Sequence, residues 1–200
     1  MKLNWGERLA VNNPIRILQQ QLEMYWLSGM KPLDPGGRIL EIGCGRGVGA
    51  GLIHRTFAPK SLHIQDLDIE MIRKAKKRIA RKDYDEMIPT LSVSDTLHLP
   101  FAAETFDAIF GFGVLHHVPD WQDALMELKR VLVPGGIYYM EELYPSLYQN
   151  LITKHILLHP KDNRFRSSDL RQAFDDAQMP LKEAFEFKKL GILGVAIKAA

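Results

Sequence analysis

Three glycines stand at alternate positions directly after a short apolar run, in the segment RILEIGCGRG at residues 38–47. Glycine has no Cβ, so the backbone can turn sharply at these positions and a ligand can touch it. The residues from Val48 to about Phe57 predict a helix, whose first turn presents free N–H groups and a positive dipole end. A strand, a glycine loop and a helix in this order predict a ligand site at the loop.

Two kinds of ligand fit this glycine loop: a dinucleotide, and a nucleoside that carries an amino acid. Dinucleotide sites have the pattern G-x-G-x-x-G/A, with the first glycine directly after the strand. Counted from Gly43, the sixth position is Val48, so the pattern fails. Counted from Gly45 it is met, but Gly43 and Cys44 are then left over. The loop alone therefore leaves both ligands open.

Two acidic residues stand at the ends of the next predicted strands. Asp66 ends the second strand, about 20 residues after the loop, where an acid accepts hydrogen bonds from ribose hydroxyls. Asp95 ends the third strand and could accept from the amino group of an adenine. A nicotinamide dinucleotide would not require this second acid. The apolar Leu67 could pack on the face of the purine.

The elements that must position these residues alternate between strands and helices. This alternation predicts a mostly parallel sheet with helices on both faces. The connection LG between the last two strands is so short that it permits only an antiparallel pair. The predicted strands are 38–43, 61–66, 90–95, 105–113 and 137–142, followed by two within 183–199. The predicted helices are 13–27, 48–57, 68–81, 121–132 and 167–178.

The first predicted helix, residues 13–27, is amphipathic. Asn13 can cap it, Pro14 suits its first turn, and one face carries apolar residues at helical spacing. These apolar residues are Ile15, Leu18, Leu22 and Tyr25. Several interpretations remain open for the helix: it folds over the ligand site as a lid, it simply packs against the domain, or it also touches a membrane, although its charge does not demand such a contact.

Composition excludes several classes of protein. The length of 200 residues suits one domain, and a net charge of +2 is too weak to indicate nucleic acid. The single cysteine, Cys44, rules out an intrachain disulfide and a cysteine-cluster metal site. The basic run at 73–82 predicts the solvated face of a helix, with Ile72, Ala75 and Ile79 facing inward, and the alternative is that it attracts phosphate or an anionic membrane surface. With no apolar segment of membrane-spanning length and no secretory signal, we expect a cytoplasmic protein.

Taken together, the motifs resemble those of the class I S-adenosylmethionine (SAM)-dependent methyltransferases. The closest resemblance is to the small-molecule type 11 group, which includes quinone-biosynthesis methyltransferases. The segments that carry it, in order from about residue 38 to 141, are ILEIGCGRG, QDLDIEM, SDTLHLPFAAETFDAIFGFGVLHHV and ALMELKRVLVPGG. The resemblance implies a Rossmann-like α/β fold with a seven-stranded, mostly parallel sheet. Its last strand would insert antiparallel between the fifth and sixth.

The resemblance also implies roles for residues around the cofactor. Gly43, Cys44 and Gly45 would border the methionine part of SAM. Glu41 would orient the loop through backbone N–H groups, or reach the methionine amine through water, because a buried carboxylate needs such partners.

The nucleoside part of SAM would lie along the ends of the second and third strands. Asp66 would bind the ribose hydroxyls, and Leu67 would contact the adenine. Asp95 would hold the adenine amino group, with the Thr96 backbone near the ring.

The residues that leave the fourth strand would lie near the reacting atoms. Gly111 and Phe112 would lie near the methionine amino group and the sulfonium. If the acceptor must lose a proton, His117 is the first candidate base and His116 the second, since a histidine near neutral pKa suits proton removal.

The sequence therefore predicts one methyltransferase domain over 1–200, with a helical cap at 1–35 and an acceptor-side insertion at 143–165. The expected partner is a small-molecule methyl acceptor, with no nucleic acid, no metal and no stable membrane insertion. The oligomeric state stays open. Two alternatives also remain: an NAD(P)-dependent oxidoreductase that uses Gly45, Gly47 and Ala50, and a SAM-binding module without catalysis.

Overall fold

The computed structural model describes residues 14–81, 88–148 and 163–200, so the predicted cap Asn13 lies outside the described residues. The helices are α1 (Pro14–Met30), α2 (Val48–Phe57), α3 (Ile69–Ile79), α4 (Trp121–Val131), α5 (Pro145–Tyr148) and α6 (Ser167–Asp176), with a 3₁₀ helix at Leu115–His117. The strands are β1 (Arg38–Ile42), β2 (Ser61–Asp66), β3 (Thr90–Val93), β4 (Phe106–Phe112), β5 (Leu132–Leu143), β6 (Leu181–Glu186) and β7 (Gly191–Ile197).

The seven strands form one sheet in the order β3-β2-β1-β4-β5-β7-β6. The first five strands pair in parallel, and β7 is antiparallel to both β5 and β6. This arrangement confirms the predicted fold class, including the insertion of the last strand between the fifth and sixth. The carboxyl ends of β1, β2 and β4 meet at one edge of the sheet, where the predicted site residues lie.

Helices cover both faces of the sheet and bury a separate apolar core on each. On one face α1, α2 and α3 contribute Met24, Ile53 and Ala75. On the other face α4 and α6 contribute Leu128 and Phe174. The neighbouring Tyr138 and Tyr139 of β5 enter opposite cores, as the two-residue period of a strand requires. The sheet is thus a rigid middle layer whose edge positions the site.

Helix α3 begins where the sequence predicts. Asp68 caps it, with its side chain accepting a hydrogen bond from the Glu70 N–H at 3.0 Å. Ile72, Ala75 and Ile79 are buried as predicted. The basic residues of the run that the structure describes therefore belong mainly to the outer face of a packed helix.

Helix α1 packs differently from what its apolar stripe suggests. The four stripe residues point to solvent: Ile15 is 74% exposed, Leu18 59%, Leu22 57% and Tyr25 75%. The opposite side of the helix, with Met24 and Leu27, enters the core instead. No described helix is long and apolar enough to cross a membrane.

The fifth strand is longer than predicted. It begins at Leu132, directly after α4, and pairs there with Phe106 before the register shifts and resumes at Ile137 opposite Ala108. The segment VPGG, expected to precede the strand, forms this irregular stretch, with Gly135 at φ 75°. A β-bulge is a common use of glycine inside a strand.

Candidate functional site

The three loop glycines all adopt left-handed backbone conformations, with φ of 58°, 52° and 72°. A Cβ on Gly43 would lie 2.7 Å from Cγ2 of Val114, and one on Gly47 would lie 3.1 Å from the Cβ of Ala75. A Cβ on Gly45 would meet no described atom within 4 Å. Packing of the protein therefore explains two of the glycines, whereas Gly45 faces open space suited to a ligand.

The carboxylate of Asp66 holds this loop at the end of β2. One oxygen accepts the Gly45 N–H at 2.9 Å and the other accepts the Asp68 N–H at 2.8 Å. Burial raises the pKa of Asp66, and these two backbone hydrogen bonds oppose that rise. Since each carboxylate oxygen can accept more than one hydrogen bond, Asp66 keeps acceptor capacity for ribose hydroxyls.

Glu41 lies buried beneath the first turn of α2, where a Cβ on Gly49 would overlap its Oε1. The Ala50 N–H, in the first turn of α2, donates to this carboxylate. Its Oε2 has no hydrogen-bond partner among the described residues. Burial and the nearby charge of Asp66 raise the pKa of Glu41 well above its usual value. This edge of the sheet therefore contains a buried carboxyl oxygen with no hydrogen-bond partner among the described residues.

The adenine-side candidates lie along the ends of β2 and β3. Asp95 accepts the Leu97 N–H through Oδ1 at 3.0 Å. Thr96 is buried, and its hydroxyl accepts a hydrogen bond from Gln65 Nε2 at 3.1 Å. Leu67 is 38% exposed, so its side chain has surface to offer to a ring.

At three of the predicted residues, packing leaves no side chain free to face a cofactor. Gly111 lies inside β4, where a Cβ would come within 2.6 Å of the Tyr138 hydroxyl. Phe112 is buried and stacks on Phe110, with ring centroids 6.2 Å apart. The Cys44 side chain enters the core beneath α2, where burial raises the pKa of its thiol well above the usual value. Any contact of these three residues with a cofactor is thus mainly through the main chain.

Sequence reasoning missed Gly113, the residue that follows β4. Its φ is 74°, and its N–H donates to the Glu141 carbonyl at 2.7 Å. A Cβ there would lie 3.2 Å from both Glu141 Oε2 and His116 Cε1. The available signal was the second glycine of the segment GFG, at the carboxyl end of a predicted strand.

Sequence reasoning also missed the pairing of Glu142 with the 3₁₀ helix. Its carboxylate accepts the backbone N–H groups of Val114, Leu115 and His116 at 3.2, 2.8 and 3.2 Å. His116 Nδ1 lies 2.7 Å from Glu142 Oε2, and both side chains are buried. The structure therefore brings His116 to a carboxylate. The His117 ring lies 4.3 Å from the His116 ring.

A buried charge network attaches α1 to the same edge of the sheet. Arg16 contacts Glu23 at 2.7 Å and Glu141, near the end of β5, at 2.9 Å. Burial, together with the charge of Glu141, raises the pKa of Glu23 to about 7. The helix also contacts α2, β5 and β7. In this structure α1 is thus a packed element whose first turns border the site.

The strand order, the glycine loop and Asp66 together define the class I SAM-dependent methyltransferases. A family model described as a methyltransferase domain (Methyltransf_11) matches residues 40–140, and the chain belongs to this family. SAM is the cofactor of that class. The residues present fit it, because Gly45 opens onto space free of described atoms, Asp66 keeps acceptor capacity, and one buried oxygen of Glu41 has no partner in the described part of the chain.

Similar proteins match this chain over only part of their length. The ubiquinone/menaquinone biosynthesis C-methyltransferase UbiE of Desulfotalea psychrophila is 39% identical over 105 residues, which are 52% of this chain and 40% of the relative. The 27-O-demethylrifamycin SV methyltransferase of Amycolatopsis mediterranei is 32% identical over 112 residues, 55% of this chain and 40% of the relative. The matched part of this chain thus spans less than half the length of these relatives.

A solved structure shows the same fold over the whole chain. A chain in the complex between the Haloferax volcanii Trm112 methyltransferase activator and a methyltransferase has a TM-score of 0.79 and 17% identity. The alignment covers 100% of both chains. The described fold is therefore similar to that neighbour throughout its length.

Proposed function

We propose that this protein transfers the methyl group of SAM to a small-molecule acceptor. The observation that carries the proposal is the Gly45 main chain, fixed by Asp66 and open to solvent at the edge where parallel-sheet proteins bind ligands. Bound SAM supplies a methyl group made electrophilic by the sulfonium. The protein's part is to bind, orient and exclude water, and alignment of this kind accounts for about 7–11 kcal/mol of a barrier.

Asp66 binds the ribose hydroxyls through the acceptor capacity that its two backbone contacts leave. Leu67 packs on the adenine, and the partial exposure of its side chain supports this. Asp95 accepts from the adenine amino group, while the Thr96 backbone lies at the ring edge. The Gln65–Thr96 hydrogen bond supports these assignments, since it fixes the turn that carries Asp95.

The methionine part lies against the main chain of Gly43, Cys44 and Gly45. Glu41 binds its amine, directly or through water, with the oxygen that has no described partner. Gly111 and Phe112 contribute main-chain atoms near the amine and the sulfonium.

A base is required only when the acceptor loses a proton on methylation. His117 takes that proton in this proposal, because it follows β4 on the 3₁₀ helix next to the proposed methionine site. Glu142 and His116 position the helix from beneath. A proton acceptor of this kind contributes about 10²–10⁴-fold to a rate.

The 200 residues act as one domain in this proposal, with 1–35 as its helical cap and 143–165 on the acceptor side; of these segments, 1–13 and 149–162 lie outside the described residues. The ion pair between Arg16 and Glu141 supports this, since it holds the cap against the edge of the sheet. The strand order disfavours the oxidoreductase alternative, because dinucleotide-binding sheets run 3-2-1-4-5-6 without an inserted antiparallel strand.

Isothermal titration with SAM and with NAD tests the cofactor, and turnover of radiolabelled SAM against a metabolite pool tests the transfer. We expect SAM binding, no NAD binding and transfer of label to a small molecule. NAD binding without SAM binding would overturn the proposal. SAM binding with no labelled product in any pool would instead assign the chain to the SAM-binding modules without catalysis.

A further inference from the structure

An apolar surface runs from α1 onto the hairpin that joins β6 and β7. Its residues, which we name the α1–hairpin patch, are Ile15, Leu18, Leu22, Tyr25, Trp26, Phe185, Phe187 and Leu190, and each is between 39% and 75% exposed. The Trp26 ring centroid lies 4.7 Å from that of Phe185 and 6.3 Å from that of Phe187. These contacts join the helix and the hairpin into one continuous surface.

The exposed side of α1 carries no charge. The helix has two charged residues, Arg16 and Glu23, and both are turned inward, where Arg16 pairs with Glu23 and with Glu141. A helix on the surface of a soluble domain normally turns its polar side outward. The outward side of α1 carries the exposed Gln19 and Gln21 but is otherwise largely apolar, a combination suited to a membrane interface.

Cations flank the patch at its hairpin end. Lys188 and Lys189 form the exposed tip between Phe187 and Leu190, and Lys31 is exposed just after α1. The nearest acid on the hairpin, Glu186 at the end of β6, is already paired with Arg171 at 2.7 Å. Aromatic and aliphatic side chains beside lysines suit an anionic bilayer, where apolar groups enter the interface and cations meet headgroups. In a two-fold dimer through this surface, the lysines of both copies would be brought together instead.

The patch adjoins the edge of the sheet that carries the proposed site. Leu143, at the end of β5, pairs with Gly191, the first residue of β7. The hairpin tip, which directly precedes Gly191, therefore lies beside the end of β5. Ser146, just beyond β5, donates to the Lys189 carbonyl. Arg16 reaches the same edge from α1. A partner bound to the patch would therefore lie beside the acceptor side of the domain.

We propose that the α1–hairpin patch docks this protein on an anionic lipid surface, so that the site takes an acceptor held in the membrane. The docking stands on the exposed residues alone, whereas the membrane-held acceptor rests on the proposed function. The contact is interfacial: the patch enters the headgroup region and no helix spans the bilayer.

Vesicle sedimentation of the full chain tests the docking with phosphatidylglycerol-containing and pure phosphatidylcholine vesicles. We expect binding to the anionic vesicles that weakens in high salt. The double variant Leu18→Gln/Leu22→Gln and the variant Lys188→Glu/Lys189→Glu should each lose about tenfold in partitioning. The matched control Met126→Gln, at an apolar residue 50% exposed on α4, should bind as the wild type does.

Tryptophan emission gives a second measurement, since Trp121 is buried and Trp26 lies in the patch. In a Trp5→Phe background, anionic vesicles should shift the emission to shorter wavelength, and Trp26→Phe should abolish this shift. Absence of binding to anionic vesicles, or unchanged binding by the Leu18/Leu22 variant, would overturn the proposal. A wild-type dimer that this variant dissociates would also overturn it and assign the patch to a second copy. SAM titration of the same variants keeps the two proposals separate: loss of vesicle binding with SAM affinity retained concerns the patch alone.

Discussion

The carboxylate of Asp66 accepts a hydrogen bond from the Gly45 amide at 2.9 Å, across 21 residues of sequence. This contact joins the end of β2 to the glycine loop after β1. It gives Asp66 two tasks in our proposal, since the same carboxylate shapes the loop and binds the ribose. A substitution at Asp66 therefore changes both, and the two effects must be measured separately.

We expect Asp66→Ala to weaken SAM binding by about tenfold or more, because a hydrogen bond to a charged group contributes about 1.5–3 kcal/mol. The domain should stay folded, since the residue lies at the edge and not in the core. Isothermal titration gives the affinity, and circular dichroism checks the fold. Asp66→Asn is the matched control, as it keeps one acceptor oxygen for the backbone and loses the charge.

A SAM analogue without the ribose 2′-hydroxyl separates the two tasks. If Asp66 binds the ribose, the analogue should lose affinity for the wild type but little for Asp66→Ala. If both proteins lose affinity for the analogue equally, Asp66 shapes the loop but does not bind the ribose.

Much of this fold follows from local sequence pattern. The strands were predictable because apolar runs end at turn residues, and α3 because Asp68 caps a helix with inward Ile72 and Ile79. The outward orientation of the apolar stripe of α1 could not be predicted, because Leu22 and Leu27 are equally apolar. Periodicity alone does not show which side of the helix contacts the sheet. The orientation of α1 depends on Glu141, the partner of Arg16 on β5, which lies 125 residues away in the sequence.

The glycines of the loop should respond differently to alanine. Gly45→Ala places a Cβ in open space, so we expect it to cost about 1–2 kcal/mol of stability through its left-handed backbone. Its Cβ enters the proposed ligand space, so SAM affinity should fall by about tenfold. Gly43→Ala carries the same backbone cost and also overlaps Val114, so the total should reach about 2–4 kcal/mol.

Denaturant unfolding measures the stabilities of these variants, and titration measures their SAM affinities. Val114→Ala removes the atoms that a Cβ on Gly43 would meet. The double variant Gly43→Ala/Val114→Ala should therefore lose less free energy of unfolding than the two single variants lose together. Strict additivity would mean that packing against Val114 does not explain the glycine.

Glu142 should be the most sensitive acid of the described edge. Glu142→Gln removes the charge that accepts three backbone N–H groups and faces His116, and it turns an amide toward donors. We expect the free energy of unfolding to fall by about 2–3 kcal/mol, because buried groups lose their partners. Urea unfolding measures this loss. Glu186→Gln, in a more exposed pair with Arg171, is the control and should cost about 1 kcal/mol or less.

The site was only partly predictable for the same physical reason. Gly45 and Asp66 follow strands directly, and parallel strands bring their carboxyl ends together. The pairs Glu142–His116 and Arg16–Glu141 depend on which face each side chain takes at the end of β5. The neighbouring acids Glu141 and Glu142 point to opposite faces of the sheet, and the sequence EE does not show which residue contacts each of them.

The network of Arg16, Glu23 and Glu141 predicts a pH dependence of stability. The pKa of Glu23 is raised from 4.5 to about 7 by burial and by Glu141, so the folded state holds a proton that the unfolded chain has released. The contribution of this bound proton to the free energy of unfolding is therefore fully present below the pKa of Glu23 in the unfolded chain. It is lost as the pH rises toward about 7. Glu23→Gln keeps the shape and cannot ionise, so its stability should not fall with this step.

The measurement is urea unfolding of the wild type and Glu23→Gln at about pH 5 and about pH 8, outside most of the transition. Relative to the variant, the wild type should lose about 1–3 kcal/mol between the two values, since each pKa unit corresponds to about 1.4 kcal/mol. Glu183→Gln, at an exposed position on β6, controls for the loss of one acid and should follow the wild type. Parallel curves for the wild type and Glu23→Gln would mean that Arg16 fully offsets the burial of Glu23. The charge network would then hold α1 at the edge of the sheet without any cost that depends on pH.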